Sequence, residues 1–226
     1  VAEALFATIT TVNFDPARFA AWIEEAVARR ESLRQAAQAK CGELHGTAAC
    51  DHDLPEHAVW VPENYEIATL LAKAHTVGVM ADPDLDEDMR SLRELLVIGL
   101  KGLAAYTDHA YVLSHTNDDL LAFIQEVLDA TMDDSLGADD LVALVLRTGE
   151  MGVEAMRLLD EANTSTYGNP EPTQVSIGVQ PGPGILISGH DLLDLQELLE
   201  QTEGTGVNVY THGEMLPANA YPAFKK

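Results

Sequence analysis

Ile185-Leu-Ile-Ser-Gly-His190-Asp-Leu192, together with Val207-Asn-Val-Tyr-Thr-His-Gly-Glu214-Met-Leu-Pro217, is the stretch whose reading decides the fold. A short apolar strand ends at Gly189-His190, a helix begins near Asp191, and a second apolar strand ends at Thr211-His-Gly-Glu214. One right-handed crossover makes two such strands parallel, either adjacent or one apart, so the residues that follow them emerge on the same sheet edge. In open α/β sheets the carboxyl ends of the strands are where ligands and metals bind. Glycine precedes both His190 and Glu214, which allows a tight turn and a close backbone approach at each position.

Working back from this unit, Thr164 to Gly184 carries Pro170, Pro172, Pro181 and Pro183 and reads as a connector, with one short strand predicted at Gln174–Val179. Before it the pattern is helical. Asp15 is a predicted N-cap with Pro16 in the first helical position, and Phe19, Trp22, Ile23, Ala26, Val27, Arg30 and Leu33 recur at helical spacing to about Lys40. Residues 41–63 hold Gly42, Gly46, Pro55 and Pro62 without a sustained period and are predicted to be a long loop. Further helices are predicted over 64–77, from Leu85 to Leu113, from Asn117 or Asp118 to Met132, and from Ala138 to Glu161. The segment from Val1 reads as strand-like or turn. The fold class is therefore mainly α: a helical bundle over 1–163, then a connector and the first strands of a parallel, Rossmann-like α/β domain over 164–226.

With 226 residues the chain can bury a substantial core. Its formal charge of −24 excludes the basic face that nucleic-acid binding requires, and disfavours acidic membrane surfaces. No apolar run approaches the about 20 residues of a membrane-spanning helix. Two cysteines, Cys41 and Cys50, are too few for a disulfide framework, and a reducing, cytoplasmic setting is expected. The chain opens at Val1 rather than Met and is expected to be a piece of a longer protein.

His190 and Glu214 are the residues that could do chemistry. An imidazole and a carboxylate at one sheet edge suit iron, zinc or manganese, but they are two ligands where a site needs more, with only His212 and Asp191 nearby in sequence. The bland reading makes Asp191 a helix cap and His190 and Glu214 surface polar groups. Cys41, His45, Cys50 and His52 carry zinc-type ligands but match no usual zinc spacing. His75, His109 and His115 are single histidines in helical context, expected to be packed or exposed rather than ligands. The run Asp82, Asp84, Asp86, Glu87 and Asp88 lacks the spacing of a calcium loop and reads as a solvated face. Gly204-Thr-Gly206 follows a helix instead of opening one, so it is a cap, not a phosphate loop.

Asn163-Thr-Ser-Thr-Tyr-Gly-Asn-Pro-Glu-Pro-Thr-Gln-Val175, Ile185–Leu192 and Leu198–Pro217 resemble the hybrid-cluster protein family, also called prismane protein or hydroxylamine reductase. Thr11-Val-Asn-Phe-Asp15, Gly99–Tyr106 and Asp108-His-Ala110 are similar to the same family, and the resemblance is weakest over 41–63. It implies a cytoplasmic iron–sulfur oxidoreductase that reduces hydroxylamine to ammonia with electrons from a donor, with related roles in nitric oxide metabolism. It also implies a mixed iron–sulfur–oxygen cluster with His190 and Glu214 among its iron ligands. Imidazole and carboxylate are harder ligands than thiolate, which suits the iron–oxygen side of such a cluster.

The sequence departs from the family by lacking an N-terminal cysteine set for a second cluster, and further cysteines and a glutamate that lie beyond residue 226. Cys41 and Cys50 match neither set, and Asn219-Ala220 stand where the family commonly has His-Gly. The expectation for residues 1–226 alone is therefore a chain without cofactor or turnover. Two other readings stay open: an acidic helical interaction module without redox chemistry, and a mononuclear metal site at His190 and Glu214. A sheet of two or three strands leaves an unpaired edge, through which a homodimer could form.

Overall fold

Residues 1–9, 14–46, 54–79 and 81–225 are described by the structure, a computed structural model. Seven helices come first: α1 (Ala2–Ala7), α2 (Pro16–His45), α3 (Glu56–Val59), α4 (Ile67–Ala74), α5 (Glu87–Val112), α6 (Asp118–Ala130) and α7 (Ala138–Tyr167). Then follow β1 (Gly184–Ser188), α8 (Leu192–Thr202), β2 (Asn208–His212) and two 3-10 segments, Gly213–Ala220 and Pro222–Phe224. Mainly helical structure followed by the start of an α/β unit is what the sequence pattern specifies.

Helix starts are written locally. Asp15 accepts from the Ala17 N–H (3.0 Å), Asp86 from Asp88 and Met89 (3.0 and 3.2 Å), and Asn117 from Asp119 and Leu120 (2.9 and 3.3 Å). At α7 the Asp140 carboxylate reaches back to the Gly137 N–H at 2.9 Å. Each such contact satisfies one of the donors that a helix start leaves bare, and removing one typically costs about 1 kcal/mol.

The core lies between α5, α6 and α7. Leu96, Leu100, Phe123, Ile124, Leu141 and Leu158 interdigitate there, and fully buried Ala110, Ala155 and Ala162 let the helices approach. Arg93 is buried beside them and donates to the Asp133 carbonyl and the Asp134 carboxylate (3.0 and 3.1 Å), closing the turn between α6 and α7. α1 packs on α5 through Ala2 and Leu5. This corrects the strand-like reading of the first residues: their apolar positions match a single helical turn laid on α5.

Other boundaries also move. α2 continues to His45, and α3 forms inside the predicted 41–63 loop, where Arg30 donates to the His57 and Trp60 carbonyls (3.1 and 2.6 Å). The helical spacing of Phe19, Trp22, Ile23 and Leu33 yields a helix but little burial. Only Val27 of α2 is buried, because among the described residues little packs on α2 besides α4 and the α3 segment. No strand forms at 174–179; Ile177 and Val179 are exposed and have no partner strand among the described residues to complete a ladder. α7 runs six residues beyond its predicted end at Glu161, to Tyr167.

Those last residues seat the α/β unit. Tyr167 is buried with Leu192, Leu195, Met215 and Ala218, and Leu113 at the end of α5 touches both this cluster and the bundle core. Gly168 turns the chain with φ +85°, and a Cβ there would lie 3.0 Å from the Pro222 ring. Among the described residues, no helix is long and apolar enough to cross a membrane.

Burial, with the Asp191, Glu197 and Glu200 carboxylates adding to it, pushes the Tyr167 phenol up to about 12, and its hydroxyl has no hydrogen-bond partner among the described residues. An unfolded tyrosine titrates near 10. The folded state therefore holds the proton more tightly, so this contribution to stability is intact below pH 10 and lost as pH rises from about 10 to about 12. Denaturation of Y167F is expected to show a shallower alkaline loss than the parent. At neutral pH the variant should be unchanged or up to ~1 kcal/mol more stable, since it deletes an unpartnered hydroxyl. A loss of stability at neutral pH would contradict this account.

Candidate metal-ligand site at the strand ends

β1 and β2 pair in parallel, adjacent to one another, with Ser188 opposite His212 as the last matched pair. His190 and Glu214 each stand two residues beyond that pair, after a glycine. Equal offset on neighbouring strands brings both side chains to one edge, where His190 Nδ1 lies 3.8 Å from Glu214 Oε2. Gly189 and Gly213 make these turns with φ +113° and +57°. At φ +113° an L side chain is strained, which is why glycine stands before His190.

Each side chain has a distinct environment. Glu214 is exposed, whereas the His190 imidazole is only 37% exposed. Tyr106 and His109, one turn apart on α5, set their rings edge-on to His190 with centroids at 5.8 and 4.8 Å. Burial, reinforced by the neighbouring His109, lowers the His190 pKa against the opposing pull of Glu214 and Asp191. The neutral imidazole, the form that binds metals, is thereby favoured.

Asp191 is the predicted cap of α8, with Oδ1 accepting from the Leu193 N–H at 2.9 Å. Its second oxygen, Oδ2, lies 3.1 Å from Nδ1 of His109, whose side chain is only 6% exposed. Burial works against ionisation of Asp191, but the His109 contact and the Leu193 and Asp194 N–H groups outweigh it and lower its pKa. Two other carboxyls in this region, Asp108 and Asp194, are raised, each chiefly by burial.

His212, the other candidate third ligand, faces Ser188 instead, with Nδ1 at 3.4 Å from the hydroxyl. Asn219 donates to Thr211 Oγ1 and the Leu216 carbonyl, both at 3.0 Å, and so braces the turn after β2. Among the described residues no group of three or more His, Cys, Asp or Glu side chains is placed to hold a metal ion. Cys41 and His45 end α2, far in sequence from this edge, while Cys50 and His52 lie outside the described residues.

The sequence named His190 and Glu214, and the structure brings them together. What sequence reasoning missed is His109, read as an isolated helical histidine, and the second role of Asp191. The i, i+3 pair Tyr106 and His109 was visible, but nothing in the spacing tied α5 to a residue 82 positions away.

The family model described as Prismane/CO dehydrogenase family matches residues 1–226, and the chain belongs to that family. Curated relatives named hydroxylamine reductase include those of Kosmotoga olearia (57% identical over 227 residues), Petrotoga mobilis (55% over 226) and Nitratidesulfovibrio vulgaris (56% over 226). Each alignment covers 100% of this chain but 40%, 41% and 40% of the relative, so the chain spans about two-fifths of their length.

Replacing Gly189 by alanine is expected to cost about 1–3 kcal/mol, because its conformation is closed to side chains. Gly213 sits in the left-handed region, where asparagine is tolerated and a Cβ would meet Ser188 Oγ at an ordinary 3.6 Å. G213N should therefore cost clearly less than G189A in chemical denaturation. Equal costs would show that the two turns are not conformationally distinct.

Proposed function

We propose that this chain is the part of a hydroxylamine-reducing iron–sulfur oxidoreductase that supplies His190 and Glu214 as two ligands of a mixed iron–sulfur–oxygen cluster. The observation that carries the reading is the 3.8 Å approach of His190 Nδ1 to Glu214 Oε2 at the carboxyl edge of a parallel strand pair. Two bonds of about 2.0–2.2 Å to one ion can span that separation. A neutral imidazole and an exposed carboxylate are also the hard donors that an iron–oxygen face accepts. Relatives carrying the name hydroxylamine reductase, at more than half identity across all of this chain, supply the substrate class.

The reaction in this reading breaks the N–O bond of hydroxylamine, takes up two electrons and two protons, and releases ammonia and water. A cluster held there would supply the path by which electrons from an external donor reach the substrate. The chain's own residues have humbler tasks. His190 and Glu214 bind, Tyr106 and His109 wall the imidazole from water, and the bundle fixes the distance between α5 and the strand ends. Two ligands do not hold a cluster, so residues 1–226 alone are proposed to bind none and to be inactive, the remaining ligands belonging to the larger protein.

The test is iron and acid-labile sulfide, measured on the full-length protein purified anaerobically and on residues 1–226. Iron, sulfide and hydroxylamine reduction are expected in the full-length protein; in H190A and E214A reduction should fall at least tenfold and iron should fall by the mixed cluster's share, the second cluster keeping its own, while residues 1–226 should hold neither iron nor sulfide. Undiminished iron in both full-length variants would overturn the ligand reading. Stoichiometric iron in residues 1–226 would overturn the apo reading and favour a mononuclear site.

A further inference from the structure

The His109–Asp191 pair is not explained by packing alone. A hydrogen-bonded polar pair buried at this depth adds little stability over apolar residues of the same volume. What it adds is direction. An ionised carboxylate only accepts, so His109 donates to it from Nδ1, and the second ring nitrogen, Nε2, takes no part in the pair. That Nε2 is buried and has no partner among the described residues. Meanwhile Asp191 is held at both oxygens, by Leu193 at the start of α8 and by His109 on α5. Its backbone is the next peptide after His190. The same His109 ring that grips Asp191 stands edge-on to the His190 imidazole at 4.8 Å, and Tyr106 adds a second wall from the preceding turn of α5.

We infer that His109 and Asp191 are positioning residues: by clamping the peptide after His190 and one side of its ring, they hold the imidazole in the orientation that presents it, beside Glu214, to a metal. The inference rests on the reading of His190 as an iron ligand and extends it inward by one layer. Outer partners of this sort are commonly worth about 10–100-fold in metal affinity. Neither residue needs to touch the metal.

D191N separates the clamp from the cap. Asparagine caps a helix as well as aspartate does, yet it replaces the carboxylate that faces His109 by a neutral amide. H109L removes the polar contact at similar volume. H109N keeps an N–H donor near the place of Nδ1 and serves as the rescue. Iron is loaded into the full-length protein and each variant, its retention against a chelator is followed, and the electron paramagnetic resonance of bound iron and far-ultraviolet circular dichroism are recorded alongside. D191N and H109L are expected to hold iron about 10–100-fold more weakly with an altered resonance and unchanged helix content. H109N should recover part of that loss, and H190A should lose the mixed cluster's share of iron together with its resonance.

Wild-type retention and resonance in D191N and H109L, with iron lost in H190A, would overturn the inference and leave the ligand reading standing. An undiminished iron content with an unaltered resonance in H190A would remove the ligand reading and this one with it. Should H109L fail to fold, D191N decides alone, and if D191N also fails to fold the pair is structural and the inference falls.

Discussion

The register between β1 and β2 is the constraint on which the strand-end chemistry depends. Ser188 opposes His212, each strand is followed by one glycine, and each glycine by one potential ligand. A slip of one residue would move Glu214 by about 3.3 Å along its strand and reverse the face of every β2 side chain. Two strands do not fix their own register well. Here it is fixed from outside: by Leu192 and Leu195 of α8 and by Met215 and Ala218 after β2, all buried against Tyr167.

The helical bundle therefore acts as a mount. α5 is long enough to contribute Leu96 and Leu100 to the bundle core, Leu113 to the interface with the α/β unit, and Tyr106 and His109 to the walls of His190. One helix thus transmits the position of the core to the strand ends. Apart from Glu214, the exposed carboxylates have no part in this geometry. Their ion pairs, such as Arg29 with Glu25, are solvated contacts of small energetic weight.

Much of this was legible in the sequence, for physical reasons that can be named. Strand endings announce themselves through apolar runs closed by glycine, so β1, β2, His190 and Glu214 could be read directly. Capping residues fixed the starts of α2 and α6 because the donors they satisfy are only two or three residues away. Failures came where a partner decided the outcome. The first residues became a helix because α5 offered a surface, and 174–179 stayed irregular because no strand lay beside it. His109 was missed because its meaning lies in Asp191, and no local pattern links the two.

The central claim is that His190 binds the same metal centre that Glu214 borders. Electron spin-echo envelope modulation of the iron-loaded full-length protein, labelled with nitrogen-15 histidine, tests it directly. The account predicts a coupled histidine nitrogen that disappears in H190A and persists, with changed strength, in E214A. A spectrum without histidine coupling, or one unaltered by H190A, would contradict it.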